Sequence, residues 1–228
     1  MKKYIFLIFL IIITALIISY SFLLYGNPIK KAEYNKIFAN YLSNKYLEPM
    51  KIKNIIYNFK QNYYFAIAFP ENNNNLEFEV KDLKNGISDT YIQMKWKNEI
   101  EKQIKPFILN TIPNFKSIDI TFIGMPLEYI SKSEIPNYLD IQNLFNGNKS
   151  VTLNININKD LEDQKEEYEQ IYKFINYLRQ KQIYFTVIDL IFKEKKFTEV
   201  KIYNKDIDNI DSAKDISKYT KTTDILVH

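Results

Sequence analysis

The sequence predicts an α+β fold: an N-terminal transmembrane helix, then an α-β-β-β-α half and a β-α-β-α-β-β-α half. Three observations carry that reading. The chain opens with a long uncharged apolar run. Later segments alternate strictly between apolar and polar residues, which is the period of a half-buried strand. Between them, apolar residues recur three and four apart, which is the period of an amphipathic helix.

Residues 4–25 contain no charge and follow Met1-Lys2-Lys3. A helix of that length spans about 33 Å, enough to cross a hydrocarbon layer of about 30 Å. Tyr4, Phe6, Leu7, Ile11, Leu16, Ile18, Phe22, Leu24 and Tyr25 are its expected lipid-facing residues, with Tyr4, Tyr20 and Tyr25 near the interfaces. A cleaved signal peptide is the rival. No small-residue cleavage site follows the run, whose end is bulky, and no cysteine offers lipid attachment. Lys2 and Lys3 face Lys30, Lys31 and Lys36 across the span. The short lysine-bearing tail favours an N-inside, C-outside arrangement, with an extracytoplasmic domain on the cell membrane.

Gly26-Asn27-Pro28 ends the span, and a helix near residue 29 carries the stripe Tyr34, Ile37, Phe38, Tyr41 and Leu42. Strands follow at about 51–59, 63–69 and 76–80, the last with Leu76, Phe78 and Val80 opposite Glu77 and Glu79. Ser88 is the expected N-cap of the next helix, with Asp89 just inside. Ile92, Trp96, Ile100, Ile104 and Ile108 line one face of it, and Pro106 is expected to kink or end it.

Ile112-Pro113-Asn114 is the expected domain boundary, giving an anchor over 1–28, a domain over 29–112 and a second over 113–228. A strand at 117–123 and a helix capped by Ser133 and stopped at Asn146-Gly147 come next. Val151, Leu153, Ile155 and Ile157 then mark a strand. Asp160 is expected to cap an acid-started helix whose stripe is Tyr168, Ile171, Tyr172, Ile175 and Leu178. Residues 183–192 read as a central strand. A partner strand to Tyr203, a short helix at 208–219 and a tail close the chain.

Tyr25-Gly26-Asn27-Pro28 after a membrane helix, then Ile55-Ile56-Tyr57-Asn58-Phe59-Lys60 and Tyr63-Tyr64-Phe65-Ala66, resemble the YfjL-like proteins of low-GC Gram-positive bacteria. The spacing from Asp89 through Tyr91 to Trp96 is similar as well. The resemblance covers about residues 1–112. It implies an anchored extracytoplasmic domain and brings no catalytic residues with it.

The residue types narrow the chemistry. There are 31 basic and 27 acidic residues, two of the basic ones being Lys2 and Lys3, so the remainder is close to neutral and its charges are interspersed. Nucleic acid is not an expected partner. Lysine stands far above arginine, of which Arg179 is the single example, and Asn, Ile and Tyr abound, a bias that fits an AT-rich genome. With no cysteine and one histidine, His228, the chain lacks thiolate chemistry, Ser-His-Asp triads and histidine-ligated zinc. Four scattered glycines leave no phosphate-cradling loop.

Asp206, Asp208, Asp211 and Asp215 lack the glycine and distal glutamate of a calcium loop, so they read as caps and surface. Asp189 lies in an apolar strand. It is either a general acid of raised pKa, or a carboxylate that faces solvent at the strand's end or pairs with a lysine. Trp96, near Tyr91, reads as core rather than groove.

No catalytic residue, metal ligand or cofactor is therefore expected. The expected function is a non-enzymatic binding or interaction module, bound to lipid through its helix and to a protein or peptide partner outside. The alternatives are a carboxylate hydrolase acting on cell-wall material and an assembly subunit of a membrane complex.

Overall fold

The computed structural model describes residues 2–83, 85–124, 135–145, 149–161, 164–194 and 196–224. The architecture is α+β: a long apolar N-terminal helix, a four-stranded sheet and a five-stranded sheet, with helices. The residues gather into two compact units. The first runs to Lys95 and the second begins at Trp96.

In the first unit, helix α1 (Lys2–Tyr25) ends at Gly26, whose N–H bonds the Phe22 carbonyl. Asn27 caps helix α2 (Pro28–Lys45), its side chain accepting from the Ile29 N–H, and Pro28 occupies the first turn where no amide donor is needed. Of the expected stripe, Phe38 and Leu42 are buried and Ile37 is exposed.

Strands β1 (Met50–Asn58), β2 (Tyr63–Pro70), β3 (Phe78–Leu83) and β4 (Gly86–Asp89) form an antiparallel meander in that order. Asn62 closes the first turn with φ of 54°. Leu76, Phe78 and Val80 are buried as their alternation requires.

Strand β4 corrects the expectation at 86–89. Ser88 pairs with Lys81 inside this strand, so it caps nothing. Helix α3 (Tyr91–Thr111) starts beyond it, and the Asp89 carboxylate accepts from the Tyr91 N–H. The helix continues through Pro106 rather than ending there. Pro106 faces solvent, and a proline in a helix interior forfeits one backbone bond without stopping the helix if packing holds it. The stripe Ile92, Trp96, Ile100, Ile104 and Ile108 is buried throughout.

In the second unit, β5 (Phe115–Ile123), β6 (Ser150–Ile157), β7 (Val187–Lys193), β8 (Lys196–Tyr203) and β9 (Thr220–Asp224) form one sheet in chain order. Only the β6–β7 pair is parallel, and α5 (Gln164–Lys181) makes the crossover between them. β7 is the middle strand, and β9 is an addition to the expected tail.

Between β5 and β6 lies helix α4 (Tyr138–Ile141) with a 3-10 turn behind it (Gln142–Leu144). The expected cap Ser133 and stop Asn146-Gly147 lie outside the described residues, as does His228. The expected helix at 208–219 is a 3-10 segment (Ala213–Tyr219), and a single turn, α6 (Asn204–Ile207), precedes the expected range.

One sheet face is apolar: Ile120, Val151, Leu153, Ile155, Ile188, Leu190, Val200 and Ile202 are buried along it. Trp96 closes on this face against Phe122, and its indole N–H donates to the Pro136 carbonyl. Phe107 of α3 stacks on Tyr177 of α5. Phe174 of α5 is fully buried although the expected stripe omitted it.

Asp160 accepts from the backbone N–H groups of Glu194 and Lys196, and so closes the β7–β8 turn. Glu167, in the first turn of α5, is buried and paired with Lys159 at 2.7 Å.

Candidate functional site

The opposite face of the five-stranded sheet is polar, because the same alternation that buries one set of residues turns the other set out. Register places Asp119, Asn154, Asp189 and Lys201 in one row across β5, β6, β7 and β8. Ser117 and Asn156 lie beside that row and hydrogen-bond at 3.1 Å. Thr121 and Thr152 flank it on the other side, directly paired. Glu199 lies two residues from Lys201 on β8 and opposite Lys221 of β9.

Asp189 is the centre of this face. It is 7% exposed. Its Oδ2 lies 3.4 Å from Lys201 Nζ, and Lys201 also bonds the Glu199 carboxylate. The other oxygen, Oδ1, is buried and accepts no hydrogen bond from a donor among the described residues, while the carboxyl in its protonated form can share its proton with Glu199. A buried carboxylate oxygen left unpaired is costly, so its position calls for a reason.

Burial pushes the Asp189 carboxyl up to about 6. Glu199 adds to that rise, while Lys201 opposes it. Glu199 moves the other way, held below its ordinary value chiefly by its bond to Lys201. At the end of the row, Lys97 bonds Asp119 at 2.8 Å and lowers its pKa.

The expected alternatives for Asp189 thus meet in one residue: it is paired with a lysine and its pKa is raised. Lys201 and Glu199 escaped the sequence reading. The signal was there in the alternation of β8, whose outward positions are Phe197, Glu199, Lys201 and Tyr203.

A second polar cluster belongs to the first unit. The Asp89 side chain is 1% exposed. Its carboxylate accepts from the hydroxyls of Tyr41 and Tyr46 at 2.7 Å each, from Lys45 Nζ at 2.7 Å and from the Tyr91 N–H at 2.9 Å. The two tyrosine pKa values are raised by burial and then by the carboxylate. Every acceptor position is used, so this cluster ties α2 to the start of α3 and leaves nothing directed at a ligand.

The remaining candidates resolve into structure. Asp215 and Ser212 form a capping box that opens the 3-10 segment at 213–219. Among the described residues no three acidic or histidine side chains gather as metal ligands. Trp96 and Tyr91 are core.

Clefts do occur. One of about 270 Å³ is lined by Tyr138, Gln142, Phe145, Tyr184, Thr186 and Asn204. Others of about 380 Å³ lie beside Glu79 and Met94, and between Tyr168 and Lys214. Neither Asp189 nor Glu199 lines any of these.

The expected anchor residues Tyr4, Phe6, Leu7, Ile11, Leu16, Ile18, Phe22 and Tyr25 are exposed along α1, and Leu24 is half-buried. By length and composition α1 is sufficient to cross a membrane, and none of its apolar window is buried in the protein. That is consistent with single-pass anchoring.

Comparison with known families matches residues 1–91 to the YfjL-like, N-terminal domain. Neither the curated proteins nor the solved structures contain a match.

Proposed function

We propose, proceeding from an N-terminal part that is a YfjL-like N-terminal domain, that this chain is a single-pass membrane protein holding a binding module outside the cytoplasmic membrane. The ligand lies across the polar face of the five-stranded sheet. The observation that carries this reading is the Asp189 carboxyl, over nine-tenths buried at the centre of that face, with one oxygen that receives no donor from the described residues.

An acceptor in that position asks for a hydroxyl or amide donor. Asn154, Asn156 and Thr152 beside it offer both donors and acceptors. A peptide or a wall polymer supplies such groups in repeated form.

The pair of carboxylates with divergent pKa values resembles a general acid and base, which favours a hydrolase as the second reading. Lys201 weighs against it. It neutralises both carboxylates, and the face is a sheet surface rather than one of the clefts.

Sedimentation of the detergent-solubilised full chain with isolated cell-wall sacculi tests the binding reading. The wild type pellets, and Asp189→Asn loses roughly tenfold or more in affinity, the worth of a hydrogen bond to a charged group. Equal pelleting of the two sinks the sheet-face reading. Protease digestion of a C-terminal tag on intact protoplasts tests the sidedness: digestion supports it, and protection of a membrane-bound chain inverts it.

A further inference from the structure

We propose that the turn between β1 and β2 docks into the interfacial layer of the same membrane that α1 crosses, so that the first unit lies against the lipid surface. The proposal rests on the anchor reading above. It stands on the geometry where the span ends.

Gly26 follows the last residue of the span and is packed against the hairpin. A Cβ built there would lie 2.6 Å from Tyr57 Cβ and 2.9 Å from Tyr64 Cε1. The Tyr64 hydroxyl accepts from the Asn27 N–H at 2.9 Å, and Tyr34 stacks on Tyr64 with ring centroids 4.8 Å apart. The membrane-exit point and the end of the hairpin are therefore fixed to one another.

Lengths agree with this. Helix α2 has 18 residues and covers about 27 Å. Strand β1 has 9 residues and returns over about 30 Å. The chain thus comes back to the level at which it left the span. Phe59 lies two residues beyond Tyr57, about 7 Å along the strand direction. The polar layer on each side of the hydrocarbon core is about 5–8 Å deep, so Phe59 falls within it.

The residues at this level suit that layer. Phe59 is 53% exposed and Ile29 is 76% exposed, and Tyr25, at the end of the span, is exposed as well. Lys30, Lys31 and Lys60 are their neighbours in sequence, with Glu33 the one acid close to them in sequence. Apolar tips among lysines are what a headgroup layer accepts: rings and aliphatic groups enter, and ammonium groups stay with the phosphates.

The chain contains no cysteine, so single introduced cysteines report cleanly. The test uses the full chain reconstituted in phosphatidylcholine vesicles containing phosphatidylglycerol, with spin labels at Gln61→Cys, Leu16→Cys or Asn74→Cys. Position 16 lies in the span and position 74 beyond the other end of β2. Collision with oxygen and with a water-soluble nickel chelate reads depth.

The expected result is a label at 61 several-fold less accessible to nickel than the label at 74. Adding Phe59→Asp brings it to the value at 74, while Phe59→Trp leaves it immersed. Phe59 is exposed, so neither change disturbs the core. Equal nickel access at 61 and 74, with 16 buried in lipid, overturns the docking alone. Nickel access at 16 overturns the anchor reading and the docking with it.

Discussion

At Asp189 the fold gives up stability by burying a carboxyl group beside a second one. The carboxyl is pushed up to about 6 by burial, against an ordinary value near 4. Folding therefore favours its protonated form. The stabilisation from that form is complete below about pH 4 and is lost as pH rises through about 6. Asp189→Asn keeps the shape and removes the titration. Its melting temperature relative to the wild type should climb between pH 4 and pH 7, read by thermal unfolding at fixed ionic strength. A difference that is flat or falls across that window would show that Asp189 is charged without penalty. The residue was legible in the sequence as an acid inside an apolar strand. Its partners were not, because Lys201 and Glu199 reach it only through the β7–β8 register, which no local pattern states. Ser88 was misread as a cap for a similar reason, while Asp89 does accept from the Tyr91 N–H at the start of α3. The segment Ser88-Asp89 has the chemistry of a helix cap, and pairing with β3 claimed it first.

Elements that bury a complete face were the legible ones. The isoleucines of α3 and the alternation of β6 are fixed by the need to hide them, and they lie where their period requires. Strands β4 and β9 escaped because they are edge strands, Gly86–Asp89 and Thr220–Asp224, with scarcely an apolar residue between them. Their pairing is backbone pairing, which composition does not record. The junction of α1 and α2 was legible in part: Gly-Asn-Pro marks a break, but not what the break packs against. Gly26 has φ of +81°, and the space a side chain needs is taken by Tyr57 and Tyr64. Gly26→Ala meets both the left-handed backbone penalty and the ring contacts, and should cost roughly 2 kcal/mol or more. Thermal unfolding of the full chain in detergent checks this, with Tyr57→Ala as a partner substitution. If the ring contact matters, Tyr57→Ala recovers part of the loss in the double variant. An additive pair would leave the cause in backbone strain and in the contacts that Tyr57→Ala keeps, with Tyr57 Cβ and the Tyr64 ring.

Across the whole molecule, two divisions of the chain compete. Ile112-Pro113-Asn114 marks a sequence break, with domains over 29–112 and 113–228. The packing instead places a division between Lys95 and Trp96, inside α3. The consequences differ in energy. A fragment of residues 113–228 lacks Trp96, Ile100, Ile104 and Ile108, four side chains that are almost wholly buried. Burying each is worth roughly 1.5–3 kcal/mol, so their loss removes about 6–12 kcal/mol. That rivals the whole stability of an ordinary domain, about 5–15 kcal/mol. A fragment of 96–228 keeps them, along with the Trp96–Phe122 and Phe107–Tyr177 contacts. Expressed side by side, 96–228 should unfold cooperatively as a soluble monomer, whereas 113–228 should aggregate or show no unfolding transition. Chemical denaturation followed by circular dichroism separates them. Cooperative unfolding of 113–228 at equal stability would put the boundary at the proline after all, and would make α3 an appendage rather than part of the second unit's core.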